Sequence, residues 1–227
     1  YDVLDLPDGQ QIPLKIPSIV GLIPLFAVET LEPERLEKLP KFRARMEWFL
    51  EHRPELAGLV SRWEEPGVGK RNLLALLRGH RMKCVIRKMV DESMFFSDYG
   101  VRSLSQSLRD RPYVVEFSGQ QLTVDYEPGE STSTLFGGNS NWRGPIWMPI
   151  NFLLIEALQK FHHYYGDDFK IECPTGSGKM LTIYEISEEI ARRLKSIFLT
   201  DANGRRPLFG DCEKLQTDPH FRDYLWF

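Results

Sequence analysis

The segment Trp147 to Tyr165 constrains this chain most. Trp147, Ile150, Leu154, Leu158, Phe161 and Tyr165 recur at three- and four-residue intervals. That spacing puts them on one face of a helix, and Gly166 stands where such a helix ends. A long helix with one apolar face must bury that face against other elements. The spacing returns in Leu181 to Leu199, through Ile183, Ile186, Ile190, Leu194 and Ile197. It predicts a helix over Glu34 to Glu51, with Leu36, Leu39, Phe42, Met46, Phe49 and Leu50 as its stripe. It predicts another from Asn72 to Met89, which Gly79 breaks, and shorter helices after Pro54 and from Asp218-Pro219. Ile19 to Val28 differs in being apolar almost throughout. With Ser18 as its cap and Pro24 inside, it predicts a kinked helix buried on all sides. An apolar helix followed by an amphipathic one is how helical hairpins build an inner and an outer layer.

Strand signals are fewer. Tyr113 to Phe117 and Gln121 to Tyr126 flank Ser118-Gly119 and predict a small β-hairpin near 113–126. Tyr1 to Pro17, with Pro7-Asp8-Gly9 as a turn, reads as strand-turn-strand or ordered loop. Asp201 to Gly204 is a turn. The expected fold class is mainly α.

Composition excludes several functions. With 42% hydrophobic and 27% charged residues, the chain of 227 is no disordered segment. Its most apolar stretch, Ile19 to Val28, is too short for a membrane span, which needs about 20 residues. A net charge of -3 leaves no footprint for nucleic acid or an anionic membrane, so neither is expected as a partner. The three cysteines, Cys84, Cys173 and Cys212, are far apart and form no C-x-x-C pair. That points away from zinc ribbons and redox pairs and towards a reducing compartment, the cytoplasm. No metal or cofactor is indicated. The chain opens without methionine and closes on Trp226-Phe227, so the expectation is a piece of a longer protein.

Pro174 to Lys179, Pro-Thr-Gly-Ser-Gly-Lys, has the look of a phosphate loop. It departs from that motif where Cys173 stands for the first glycine and Met180 for the Ser or Thr. His162 and His163 are adjacent on a helix, where side chains diverge by about 100°, so they do not share a metal ion. Their place near the helix end suits a cation instead. Asn141-Trp-Arg-Gly-Pro-Ile-Trp147 is more specific. Trp142 and Trp147 bracket Arg143 and a Gly144-Pro145 break, with Pro145 suited to a helix first turn. Flat indole rings with Asn141 and Arg143 as donors suit the face and hydroxyls of a pyranose. Two tryptophans plugging a core at a helix start fit the residues as well. The long polar loop of Glu127 to Arg143 that leads into them is of the kind that carries function. Ser97 to Ser105 is a second polar-aromatic segment. Within it Asp98, beside Tyr99 and Arg102, is either an acceptor for sugar hydroxyls or a structural ion-pair partner.

Asn141 to Trp147, followed by Asn151-Phe-Leu-Leu-Ile-Glu156-Ala-Leu, resembles glycoside hydrolase family 63 and its relatives, processing α-glucosidases and bacterial mannosylglycerate and glucosylglycerate hydrolases. Tyr99-Gly-Val-Arg-Ser-Leu-Ser105 resembles that family's Tyr-Gly-Leu-Arg-Ser-Leu segment, and Tyr1-Asp2 its Phe-Tyr-Asp segment. Gly166 to Phe169 and Pro174 to Gly178 resemble its bacterial branch. Many relatives have Tyr where this chain has Asn141. The resemblance runs nearly end to end and implies part of an (α/α)6 barrel. Residues 1–227 would then be the C-terminal portion of one catalytic domain, and the barrel mouth would hold the site. It implies an inverting glycosidase acting on an α-glucoside, α-mannoside or short oligosaccharide, with carbohydrate as the partner. The catalytic acid is expected before Tyr1 and the base just after Phe227, so no catalytic residue is placed within the chain, and Asp98, Glu116 and Glu156 are not given that role. The resemblance places Asn141, Trp142 and Trp147 in the sugar subsite, with Arg143 behind them, and groups Tyr99, Arg102 and Asp98 as further substrate-binding candidates. A carbohydrate-binding or structural helical-barrel protein without hydrolysis is the other reading.

Overall fold

The structure, a computed structural model, describes residues 2–60, 65–117, 119–127 and 145–225. It opens on an antiparallel hairpin of β1 (Asp2–Asp5) and β2 (Gln11–Leu14). Gly9 turns it at φ +83, and the Asp8 carboxylate accepts from the Gln10 amide. Ile19–Phe26 follows as a 3-10 helix, not the expected α-helix, and the Ser18 hydroxyl caps nothing. Pro24 can donate no backbone hydrogen bond there, which disfavours a regular α-helix.

The chain then leaves the helix early. β3 (Val28–Leu31) runs antiparallel to β4 (Asn72–Ala75), whose burial alternates with a period of two. The expected helix therefore begins only at Gly79. Between the two strands lie α1 (Pro33–Glu37), α2 (Pro40–His52) and α3 (Pro54–Val60). Each starts on a proline, which is pre-set for a first helical position and pushes the residue before it out of the α region. Leu39, at φ -123 and ψ 60, is that residue before Pro40, so the helix expected over Glu34 to Glu51 is two. Its stripe does not face a core: α2 buries no residue, and Leu39, Phe42 and Trp48 are about half exposed.

α4 (Gly79–Met89) buries Met82, Ile86 and Met89. The short antiparallel pair β5 (Phe96–Ser97) and β6 (Gly100–Val101) follows it. A hairpin of β7 (Tyr113–Phe117) and β8 (Gln120–Val124) comes next. α5 (Met148–Tyr165) begins after Trp147 and closes on Gly166 at φ +70, where a Cβ would stand 2.8 Å from Val68. Pro149, not Pro145, occupies its first turn. β9 (Lys170–Glu172) pairs with β10 (Met180–Thr182), which leads straight into α6 (Ile183–Ser196). Thr182 and Glu185 cap α6 reciprocally: the Thr182 hydroxyl accepts from the Glu185 amide, and the Glu185 carboxylate from the Thr182 amide. α7 (Glu213–Thr217) ends at Asp218, where a helix was expected to begin.

α5 packs most extensively on α6, and also on β3 and the 3-10 helix. Leu154, Leu158, Phe161, Ile183, Ile186 and Ile190 are fully buried between these elements with Ile19, Leu25, Met82 and Phe96. Each such side chain contributes roughly 2 kcal/mol of transfer free energy. A smaller cluster of Ile16, Leu104, Leu108 and Val124 joins the two hairpins. Among the described residues, no helix is long and apolar enough to cross a membrane.

Candidate functional site

The backbone from Gly100 to Ser105 is a shared edge. On one side Arg102 bridges Ile146, and the Ser103 amide donates to the Pro145 carbonyl at 2.9 Å. On the other, Ser18 bridges Leu104, the Ile19 amide donates to Ser103 and the Ser105 amide to Pro17. The two polar-aromatic segments singled out in the sequence are thus neighbours, joined by main-chain hydrogen bonds. Of the residues assigned to the sugar platform, Trp147, Tyr99, Arg102 and Asp98 are described. Asn141, Trp142 and Arg143 lie outside the described residues, as does the loop before them from 128 on.

Asp98 and Tyr99 form the tip of the β5–β6 turn, both exposed. The turn is held from inside. The Ser97 hydroxyl donates to the Gly100 carbonyl and accepts from the Tyr99 amide. The Ser196 hydroxyl, on α6, donates to the Asp98 carbonyl at 3.2 Å. Asp98 forms no ion pair among the described residues, although its charge reaches Arg192. Its carboxylate therefore faces solvent as a free acceptor. Arg102 is half-buried; its Nη1 donates to the Glu92 carbonyl, and its buried Nε has no partner among the described residues. Trp147 is half-buried too, packed against the main core at the start of α5.

Two residues that sequence reading did not place at the site fix this geometry. Asn151 is fully buried on α5. Its Oδ1 accepts from the Val101 amide at 2.8 Å, and its Nδ2 donates to the Val101 carbonyl at 3.0 Å and the Trp147 carbonyl at 3.1 Å. One side chain so clamps the strand after the turn to the helix start. Gly100 permits the approach: at φ +112, a Cβ there would meet Leu194 at 2.7 Å and Asn151 Oδ1 at 3.1 Å. Arg193 on α6 grips the other strand. It is 7% exposed and donates to the Ser97 carbonyl, to Glu92 and to Glu189, with its guanidinium 3.7 Å from the Phe96 ring centroid. The signal for both was a polar residue on an apolar stripe: Asn151 lies four after Trp147, and Arg193 three after Ile190.

Glu189 is the electrostatic partner of this grip. It accepts a bidentate pair from Arg192, at 2.6 Å for each bond, and a bond from Arg193. Arg192 above all holds its carboxyl down at about 2, against an ordinary 4.5. A depressed carboxyl gives stability that is whole above the unfolded value and is lost as pH falls towards the folded one. The expected result is a loss of roughly 2 kcal/mol between about pH 4.5 and 2, discounted for the exposure of Arg192. Urea unfolding across that range checks it. Glu189→Gln should flatten that part of the curve; an unchanged slope would refute the assignment.

The other motifs serve the fold. The loop from Pro174 to Lys179 joins β9 to β10 and is tied to α4: the Thr175 amide donates to Val90 and its hydroxyl to Arg87. The anion at its glycines is the protein's own, since Glu172 accepts from the Gly178 amide at 2.7 Å. That bond, with Gly176 beside it, lowers the Glu172 pKa. The two histidines part as expected, His163 to Glu32 at 2.7 Å and His162 towards Asp167 at 3.6 Å. Burial pushes the Cys173 thiol up to about 11, so it is no nucleophile. Glu116, on β7, and Glu156, on α5, are exposed. Among the described residues no group of His, Cys, Asp and Glu could hold a metal ion.

No family model matches this chain. No solved structure matches it. It is 45% identical over 230 aligned residues, the whole of this chain and 21% of the relative, to the uncharacterised protein YMR196W of Saccharomyces cerevisiae. It is 32% identical over 83 residues, 36% of this chain and 7% of the relative, to the mannosyl-oligosaccharide glucosidase of the same yeast. The chain spans about a fifth of the first relative's length, the 21% given above. Part of it is therefore similar to a glycoside-cleaving enzyme.

Proposed function

We propose that this chain is part of an inverting glycoside hydrolase acting on an α-glucoside, α-mannoside or short oligosaccharide, and that it contributes one wall of the sugar site. One observation carries the reading: the Tyr99–Ser105 and Pro145–Trp147 segments, which resemble glycosidase motifs, are hydrogen-bonded side by side. The partial likeness to a glucosidase supports it. On this proposal the helices belong to an (α/α)6 barrel, and residues 1–227 are the C-terminal portion of its catalytic domain. Tyr99 and the indole rings stack on the C–H face of the pyranose, while Asp98, Arg102 and Asn141 meet its hydroxyls. The chain supplies binding and orientation. The acid and base of an inverting pair stand about 6.5–9.5 Å apart with a water between them; here both are assigned to sequence beyond this chain, so residues 1–227 alone should not cleave glycosides.

The test is Trp142→Ala in the full-length protein, assayed on aryl α-glucosides, glucosylglycerate and glucose-capped oligosaccharides. The expected result is a fall in kcat/KM of about 100-fold, near 3 kcal/mol of transition-state binding, with melting temperature little changed. A collapse in melting temperature, or a full-length protein that releases no sugar from any of these, would overturn the proposal.

A further inference from the structure

A recess of about 330 Å³ lies between the start of the Ile19–Phe26 helix and α4. It is near the lower end of small-molecule sites, roughly 300–1,000 Å³. Val20, Leu22, Val85, Met94 and Phe95 give it apolar walls, and no acidic residue lines it among those described. Two polar groups break the apolar surface. Ser18, only 7% exposed, lines it, and its hydroxyl bonds no described residue. Its main chain is already engaged, through the bridge to Leu104 and the Gly21 amide. The hydroxyl oxygen stays open to solvent, so it can bond a group that enters the recess. The second group is Lys88, exposed on α4 at the edge of the recess and in no ion pair among the described residues. From Gly79 to Met89, α4 carries His80, Arg81, Lys83, Arg87 and Lys88 and no acidic residue. Arg81 lies two turns before Lys88 on the same face, so that face of α4 carries two positive side chains.

We infer that this recess binds a small amphipathic anion, an aromatic or branched aliphatic carboxylate. Its hydrocarbon body fills the apolar wall, its carboxylate meets the Lys88 ammonium, and a hydrogen-bonding group reaches Ser18. The site is argued separately from the glycosidase reading, because none of the described residues assigned to the sugar platform lines it.

The probes are 3-phenylpropanoate and its uncharged counterpart 3-phenylpropanol, titrated into the full-length protein by calorimetry and ligand-observed NMR. The acid should bind saturably, and the alcohol about tenfold more weakly. Lys88→Glu should weaken the acid about tenfold while leaving the alcohol unchanged, since the substitution reverses one exposed charge. Val85→Trp, which fills the recess, should abolish both. If Val85→Trp unfolds the protein, Lys88→Glu decides, because Lys88 is on the surface. No saturable binding of the acid up to about 20 mM, well above the affinity expected of such a contact, overturns the inference. So does acid binding that Lys88→Glu leaves unchanged.

Discussion

Asn151→Ala should lower the unfolding free energy by about 3 kcal/mol, which at this size is a fall in melting temperature of roughly 10 °C. The side chain makes three hydrogen bonds, two of them to the amide and carbonyl of Val101, which is fully buried. Removing it orphans both groups, each at a cost of about 1–3 kcal/mol, and leaves a void between α5 and β6. Asn151→Asp separates this clamp from simple packing. The aspartate has the same shape, and one oxygen can still accept from the Val101 amide. The other replaces a donor that now faces two carbonyls, Val101 and Trp147. At pH 7 Asn151→Asp should therefore be at least as damaging as Asn151→Ala. Burial and repulsion raise its pKa above the unfolded value, so stability should return, relative to the parent, as pH falls and the carboxyl becomes a donor. Urea midpoints at pH 7 and 5 measure this. A neutral Asn151→Asp at pH 7 would show that the amide is not the clamp. In the full-length protein, the same substitution should reduce any glycosidase kcat/KM beyond what lost folded protein explains, because the Tyr99 turn is no longer held against Trp147.

Much of the fold was legible where periodicity and punctuation agreed. α5 ran as its stripe predicted, from a residue after Trp147 to Gly166, because three fully buried positions, Leu154, Leu158 and Phe161, keep helical phase. The β7–β8 hairpin followed from alternation across a glycine turn. β3 and β4 were not legible. Leu73, Leu74, Leu76 and Leu77 have no single period, and what makes Asn72–Ala75 a strand is Val28–Leu31, distant in sequence. Local pattern cannot see such a partner. The break at Leu39 was there to be read, in the proline that follows it. That α2 buries no residue was not, since an apolar stripe names a face and never its neighbour. At the site, resemblance pointed to Tyr99, Arg102 and Trp147, and the Arg102–Ile146 bridge places their backbones together. Asn151 and Arg193 stayed hidden because a buried polar residue takes its meaning from the atoms it meets, and those come from other parts of the chain.

Arg193→Met should cost about 3 kcal/mol and loosen the Asp98–Tyr99 turn. Methionine keeps most of the volume, so the loss is in polar contacts rather than in packing. Arg193 is 7% exposed and makes three charge-assisted or backbone bonds: Glu189 at 2.9 Å, Glu92 at 2.8 Å and the Ser97 carbonyl at 3.0 Å. It also lies over Phe96 at 3.7 Å. Removing one member of a buried ion pair usually costs about 3–5 kcal/mol, because the remaining charge is left unpaired. Here Glu92 can turn to water and Glu189 keeps Arg192, so the lower end applies. Arg193→Lys tests whether charge or shape matters. One ammonium cannot reach two carboxylates and a carbonyl in the directions that a guanidinium fork does, and it stacks less well on a ring. Lysine should therefore recover less than half of the loss. Urea unfolding gives the energies. Amide exchange at Tyr99 and Gly100 gives the local effect: faster exchange in Arg193→Met, by more than the global loss requires, would mark Arg193 as the group that positions the turn. Exchange there that speeds up only as much as the global loss requires, or not at all, would make it a fastener of α6 alone.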